Sequence, residues 1–141
     1  MAKPLDARER ISQRFPLREP VRGRVVVVGV CASGKSSLVR ALVAWGFEAR
    51  SCAQEHSYVP DMWQRLARPQ ALIFLDAREA TVRNRLRSNP SDAQIAAQRE
   101  RLAHARAHCD LYLPTDSLSP ADVAMQVIAW LQFLEVPLTQ R

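Results

Sequence analysis

Gly29-Val30-Cys31-Ala32-Ser33-Gly34-Lys35-Ser36-Ser37 decides how the rest of this chain is read. The stretch fits the phosphate-loop pattern G-x-x-x-x-G-K-[ST]. Ahead of it, Val25-Val26-Val27-Val28 reads as a short strand buried on both faces, because four β-branched residues follow one another without a polar break. Behind it, Leu38, Val39, Leu42 and Val43 fall on one helical stripe, and Gly46 suits a helix stop. Strand, glycine loop and helix in that order separate the motif from a glycine-rich turn with a fortuitous lysine.

The residue types predict the chemistry. Gly29 and Gly34 permit backbone angles that a side chain forbids, so the N–H groups along Gly29, Cys31, Ala32, Ser33, Gly34, Lys35, Ser36 and Ser37 can wrap a phosphate. The following helix adds partial positive charge at its N-terminus. Lys35 is expected to reach the β- and γ-phosphates of ATP, and the Ser36 hydroxyl to ligate Mg²⁺. Composition agrees: of 20 basic residues only Lys3 and Lys35 are lysines, and a compact ammonium suits a seat between phosphate oxygens.

With 141 residues, 48% hydrophobic and 24% charged, the chain is read as one domain with a proper core. No apolar run reaches about 18 residues, so no membrane span is expected. Three widely spaced cysteines, Cys31, Cys52 and Cys109, predict reduced thiols in the cytoplasm rather than a disulfide framework. The net charge of +6 is concentrated at the start: residues 1–24 hold seven basic residues against Asp6, Glu9 and Glu19. No aromatic-interleaved basic surface accompanies that excess, so residues 1–22 are read as a basic leader, mobile or draped over the domain 23–141, and no nucleic-acid partner is expected. Within the leader, Leu5 to Phe15 is expected to form one or two helical turns with Ile11 and Phe15 facing inward.

Further along, 47–52 reads as a second strand, Met62 to Ala67 as a short helix, and Ala71-Leu72-Ile73-Phe74-Leu75-Asp76 as another buried strand. A helix carrying Arg78, Arg83, Arg85 and Arg87 follows, and Pro90 breaks it. Ser91 or Asp92 caps a helix running to about His108, Asp110 to Leu113 is a last strand, and Ser119 caps a final helix that starts at Pro120. The alternation predicts a three-layer α/β fold with a short parallel sheet of four to five strands, its ligands at the strands' carboxyl ends. That rule places Glu55, His56 and Asp76 near the loop.

On these segments the chain resembles the small P-loop kinases of metabolites and nucleotides, shikimate kinase-like and adenylate kinase-like, over roughly 23–135. The likeness rests on Gly29 to Ser37, on Leu72 to Asp76 followed by Thr81-Val82-Arg83-Asn84-Arg85-Leu86, and on Asp110 to Asp116 followed by Ser119-Pro120. It implies that Arg85 lies against the adenine or the phosphates of ATP and that 87–100 acts as a lid. A guanidinium there stacks on a base or neutralises charge on a transferred phosphoryl group. Asp76 resembles a Walker B aspartate holding Mg²⁺ through water, or alternatively a helix-capping residue.

The chain departs from that pattern in its acceptor half. No glycine-rich acceptor loop is visible among only four glycines, and Ala53 to Gln70 is too short for another strand and helix. Glu55, His56 and Asp61 are the candidates to position or deprotonate an acceptor hydroxyl. The expected function is phosphoryl transfer from Mg²⁺-ATP to a small-molecule acceptor, with a non-catalytic nucleotide-binding module as the alternative. No N-K-x-D or D-x-x-G motif supports a GTPase. Glu100, His104 and His108 share one helix face beside Cys109, a spacing that can hold a metal but is read as a polar outer face. Cys31 is read either as a redox-sensitive thiol at a helix N-terminus or as a small residue tolerated there. Trp45, Trp63 and Trp130 are expected to anchor a core or interface.

Overall fold

A computed structural model describes residues 3–139. Four strands, β1 (Arg24–Gly29), β2 (Glu48–Ser51), β3 (Ala71–Asp76) and β4 (Leu111–Pro114), form one all-parallel sheet in the order β2-β1-β3-β4. Five helices accompany them: α1 (Ala7–Arg14), α2 (Lys35–Trp45), α3 (Glu79–Arg85), α4 (Asp92–His108) and α5 (Pro120–Phe133).

The buried valine run sorts cleanly by strand periodicity. Val25 and Val27 pack with Ile73 and Leu75 against Leu38 and Leu42 of α2 and Val127 and Leu131 of α5. Val26 and Val28 point the other way, with Leu72 and Phe74, onto Trp63, Val82, Leu102 and Ala105. Helices therefore cover both faces, which is why β1 and β3 read as unbroken apolar runs. β2, an edge strand, is half exposed and spans fewer residues than the expected 47–52. Phe47 still enters the core, as part of the turn that the left-handed Gly46 creates after α2.

Strand order reverses beside β1, since β2 lies on one side of it and β3 on the other. In open parallel sheets the crevice at such a switch point receives the ligand. The Gly29–Ser37 loop leaves β1 there, and Asp76 ends β3 beside it.

Several boundaries differ from the sequence reading. The 62–67 segment is a single wide turn, Trp63–Ala67, pinned by the buried Gln54 carboxamide, whose Oε1 accepts from Trp63 N at 2.8 Å. The expected lid is divided: 87–91 is a loop, and Asp92 onward belongs to α4 behind a Ser91 capping box. Arg83 fastens that loop, donating to Pro90 O at 2.8 Å and pairing with Asp92 at 2.5 Å. Helix α1 carries an Asp6 capping box, the Phe15 carbonyl accepts from Arg65 of the wide turn, and the Glu19 carbonyl accepts from Arg68 just after it.

Asp116, in the loop after β4, caps α3 from outside the helix. Its Oδ1 accepts from Arg78 N at 2.8 Å and from the Thr81 hydroxyl at 2.6 Å. The Thr81 hydroxyl, then the Arg78 N–H, hold the Asp116 carboxyl down at about 2. A depressed carboxyl stabilises the fold above its unfolded value of about 3.9 and loses that contribution as pH falls toward the folded value. Asp116→Ala is expected to cost about 0.5–2 kcal/mol at neutral pH, as a lost cap does. In urea titrations across pH, the gap to wild type should hold above about pH 5 and close toward pH 2; a pH-independent gap would assign the effect to packing instead.

Candidate functional site

The loop's geometry follows from its glycines. A Cβ on Gly29 would stand 2.1 Å from the Leu75 carbonyl of the neighbouring strand, so no side chain fits. Gly34 opens α2 in a left-handed conformation at φ 103°. Ala32 is left-handed too, at φ 61°, which costs a non-glycine residue on the order of 1–3 kcal/mol. Such local cost marks a loop whose shape is imposed by its surroundings. Ser33 N bonds Val30 O, and Cys31 N reaches the Gln98 carboxamide at 3.4 Å. The N–H groups of Ala32, Gly34, Lys35, Ser36 and Ser37 meet no acceptor among the described residues. Beside them the Ser33 hydroxyl is buried without a partner, while Ser36 is exposed in the first turn of α2. The loop is thus a concave surplus of donors, which suits an anion.

Lys35 folds back over this loop. Its ammonium donates to Gly29 O at 2.9 Å and Val30 O at 3.0 Å, and pairs with the Glu55 carboxylate at 2.8 Å. Glu55 is 4% exposed, and its other oxygen, Oε1, is buried without a hydrogen-bond partner. The short turn Gln54–His56 after β2 delivers this acid to the loop. That turn is fixed by Gln54, fully buried, whose amide donates to Val59 O at 2.8 Å and Arg101 O at 3.3 Å.

Arg85 arrives from the far side. Its guanidinium donates to Ala32 O at 2.9 Å, to the Thr115 hydroxyl at 3.2 Å and to Thr115 O at 2.7 Å. Thr115, buried just after β4, donates its own hydroxyl to Ser33 O at 2.9 Å. Two clefts open beside the loop. One, of about 200 Å³, is walled by Ala32, Gly34, Leu38, Arg85, Leu118 and Val123; it is apolar with a cation at its edge. The other, of about 760 Å³, is lined by Cys31, His56, Gln94, Gln98 and Arg101 among others.

Of the residues singled out in the sequence, the fold gathers Gly29 to Ser37, Glu55, His56 and Arg85 at this point. It engages Asp76 differently. Asp76 Oδ1 accepts from Ala77 N at 2.8 Å and pairs with Arg99 at 3.2 Å, and Oδ2 takes the Tyr112 hydroxyl. Asp61 is committed to Arg65, one helical turn on, at 3.1 Å, and through it to the leader. Gln98, Arg101 and Thr115 were not visible as site residues, because nothing in the local pattern marks which polar positions of α4 or of the loop after β4 face β1. Thr115 alone carried a cue, a small hydroxyl residue directly following a strand.

The face of α4 that carries Glu100, His104 and His108 lies on the outside, with Glu100 and His108 exposed and only His104 half-covered against Trp63. Trp63 Nε1 donates to His104 Nδ1 at 3.1 Å, and His108 stacks on His104 at a centroid separation of 4.2 Å. Burial, then the neighbouring His108, lowers the His104 pKa. Trp63 is core, whereas Trp45 is half exposed. No helix among the described residues is long and apolar enough to cross a membrane. No protein-family model matches the chain, and no curated protein matches it.

Proposed function

We propose that this chain binds Mg²⁺-ATP at the Gly29–Ser37 loop and transfers a phosphoryl group to a small molecule held in the larger cleft. The observation that carries the reading is the donor-rich loop at the switch point, flanked by an apolar cleft on one side and a polar one on the other. The unpaired N–H groups and Lys35 would hold the phosphates, and Ser36 would ligate Mg²⁺. The base would lie in the smaller cleft against Arg85, whose guanidinium also stands on the loop's own carbonyl. ATP supplies the phosphoryl group and Mg²⁺ neutralises its charge. The protein's part is positioning and electrostatic stabilisation. On the acceptor side, His56 and Arg101 line the polar cleft, and Glu55 precedes His56 in the same turn.

A specific observation favours a second reading, a nucleotide-binding module without turnover. Both Asp76 oxygens are occupied by protein donors, and Lys35 already carries a carboxylate. Calorimetric titration of Mg²⁺-ATP and Mg²⁺-GTP into wild type and Lys35→Ala, with turnover followed in the same samples, separates the two. ATP binding that Lys35→Ala weakens by at least about 100-fold, equal to about 2.7 kcal/mol, supports the loop assignment. Turnover that rises with a metabolite pool then supports transfer, and binding with no turnover supports the module. Absence of binding to either nucleotide removes both.

A further inference from the structure

We propose that Cys31, Glu55 and His56 form a binding site for a zinc-class divalent ion at the edge of the larger cleft. One ligand atom from each of the three lies within 4.8 Å of the others, and Cys31 Sγ stands 3.9 Å from His56 Nε2. The residues come from two neighbouring strand ends, Cys31 after β1 and Glu55 with His56 after β2, so the sheet itself fixes their spacing. Tetrahedral zinc with ordinary Zn–S and Zn–N bonds puts sulfur and nitrogen about 3.6 Å apart. A small rotation of the exposed His56 ring supplies the difference.

The second observation is the Glu55 carboxylate. Oε2 serves Lys35, yet Oε1 is buried with no hydrogen-bond partner, a costly state for a carboxylate oxygen unless a cation or donor visits it. A sulfur, an imidazole nitrogen and one carboxylate oxygen are the donor set of zinc rather than of Mg²⁺, which takes oxygens. Thiolate and carboxylate bring two negative charges to the ion, the second shared with the Lys35 ammonium, and the thiol proton is released to solvent on binding. Three protein ligands leave a fourth position for water or for an oxygen of whatever occupies the cleft, where Gln98 and Arg101 are near neighbours. This site goes beyond nucleotide binding and stands or falls without it.

Competing thiols are poorly placed. Burial, then the Glu55 charge, pushes the Cys52 thiol up to about 11. Burial, then Asp110, raises Cys109 as well. Among the described residues, no other three His, Cys, Asp or Glu side chains bring their ligand atoms this close together.

The test is Co²⁺ titrated into the full chain without nucleotide, followed by the near-ultraviolet thiolate-to-metal band and the visible bands of tetrahedral cobalt, with Zn²⁺ as competitor. One ion per chain is expected. Cys31→Ser should abolish the thiolate band. His56→Ala, at an exposed position that should not disturb folding, should weaken binding by more than the about 10–100-fold that loss of a supporting outer-shell group costs. Glu55→Gln should weaken it at least about tenfold, equal to about 1.4 kcal/mol, and His104→Ala with His108→Ala should leave it unchanged. Absence of a thiolate band in wild type, its survival in Cys31→Ser, or its loss in the His104/His108 variant overturns the site.

Discussion

Gly29→Ala is expected to cost at least about 3 kcal/mol of folding stability. The added carbon would meet the Leu75 carbonyl oxygen at 2.1 Å and its carbon at 3.0 Å, both backbone atoms of the central strand β3. Ser33 Oγ, at 2.9 Å, could rotate away; the strand cannot, because Leu75 is paired with Gly29 itself and neighbours β4 through Leu113. With a urea dependence of about 1–3 kcal/mol per molar, the midpoint should fall by at least about 1 M. Gly34→Ala is the matched control. A Cβ at Gly34 meets nothing within 4 Å, and only its left-handed φ of 103° is strained, so a loss of about 1–2 kcal/mol is expected. Equal losses in the two variants would refute the close-approach account and leave backbone conformation as the sole cause.

The contrast between these glycines shows what the sequence could and could not convey. The motif required a glycine at both positions, and the pattern 25–46 was legible because each part reports on its own neighbours: four β-branched residues, a loop, a 3.6-residue stripe. Helix α5 was equally legible, since Ser119-Pro120 is a cap followed by the one residue that costs nothing at a first helical position. The same local chemistry gave Ser91 and α4. By contrast, β2 and the wide turn at Trp63–Ala67 are short and half polar, and their extents follow from tertiary contacts such as the Gln54 carboxamide.

The candidate site residues followed the same division. Those in the loop announced themselves, as did Arg85 through the motif-like segment around it. Glu55 and Asp61 were indistinguishable in the sequence, two acids in an aperiodic polar stretch. The fold separates them because Gln54 turns Glu55 under Lys35, whereas Asp61 starts a helical turn and meets Arg65 one turn later. Asp76, at the end of a buried strand, resembles either a Walker B acid for Mg²⁺ or a helix-capping residue when only its position in the sequence is considered. Its actual partners, Arg99 and Tyr112, lie 23 and 36 residues onward, and no local pattern encodes such pairings.

The Lys35–Glu55 pair should dominate both the stability and the anion affinity of the loop, with effects of opposite sign. Both side chains are largely buried, 13% and 5% exposed, so removing one partner strands a charge at a cost of about 3–5 kcal/mol. Lys35→Met is expected to be the worse single change, because it also strips a donor from the Gly29 and Val30 carbonyls. Glu55→Gln should cost less, since those two carbonyls still hold the ammonium. The double variant should be more stable than the sum of the single losses predicts, because no uncompensated charge remains. Anion affinity separates the partners further. In wild type a phosphate bound as proposed would share Lys35 with Glu55, and two unit charges about 4 Å apart interact by up to about 4 kcal/mol at an effective dielectric of about 20. Glu55→Gln should therefore tighten binding of ATP in the absence of Mg²⁺ by at least about tenfold, equal to about 1.4 kcal/mol, while Lys35→Met removes it. Weaker anion binding in Glu55→Gln would show that Glu55 orients Lys35 rather than competing for it. The same variant should lose Co²⁺ affinity, because its amide brings no charge to the ion. A single substitution that strengthens anion binding and weakens metal binding would identify Glu55 as the group shared between the loop and the Cys31–His56 edge.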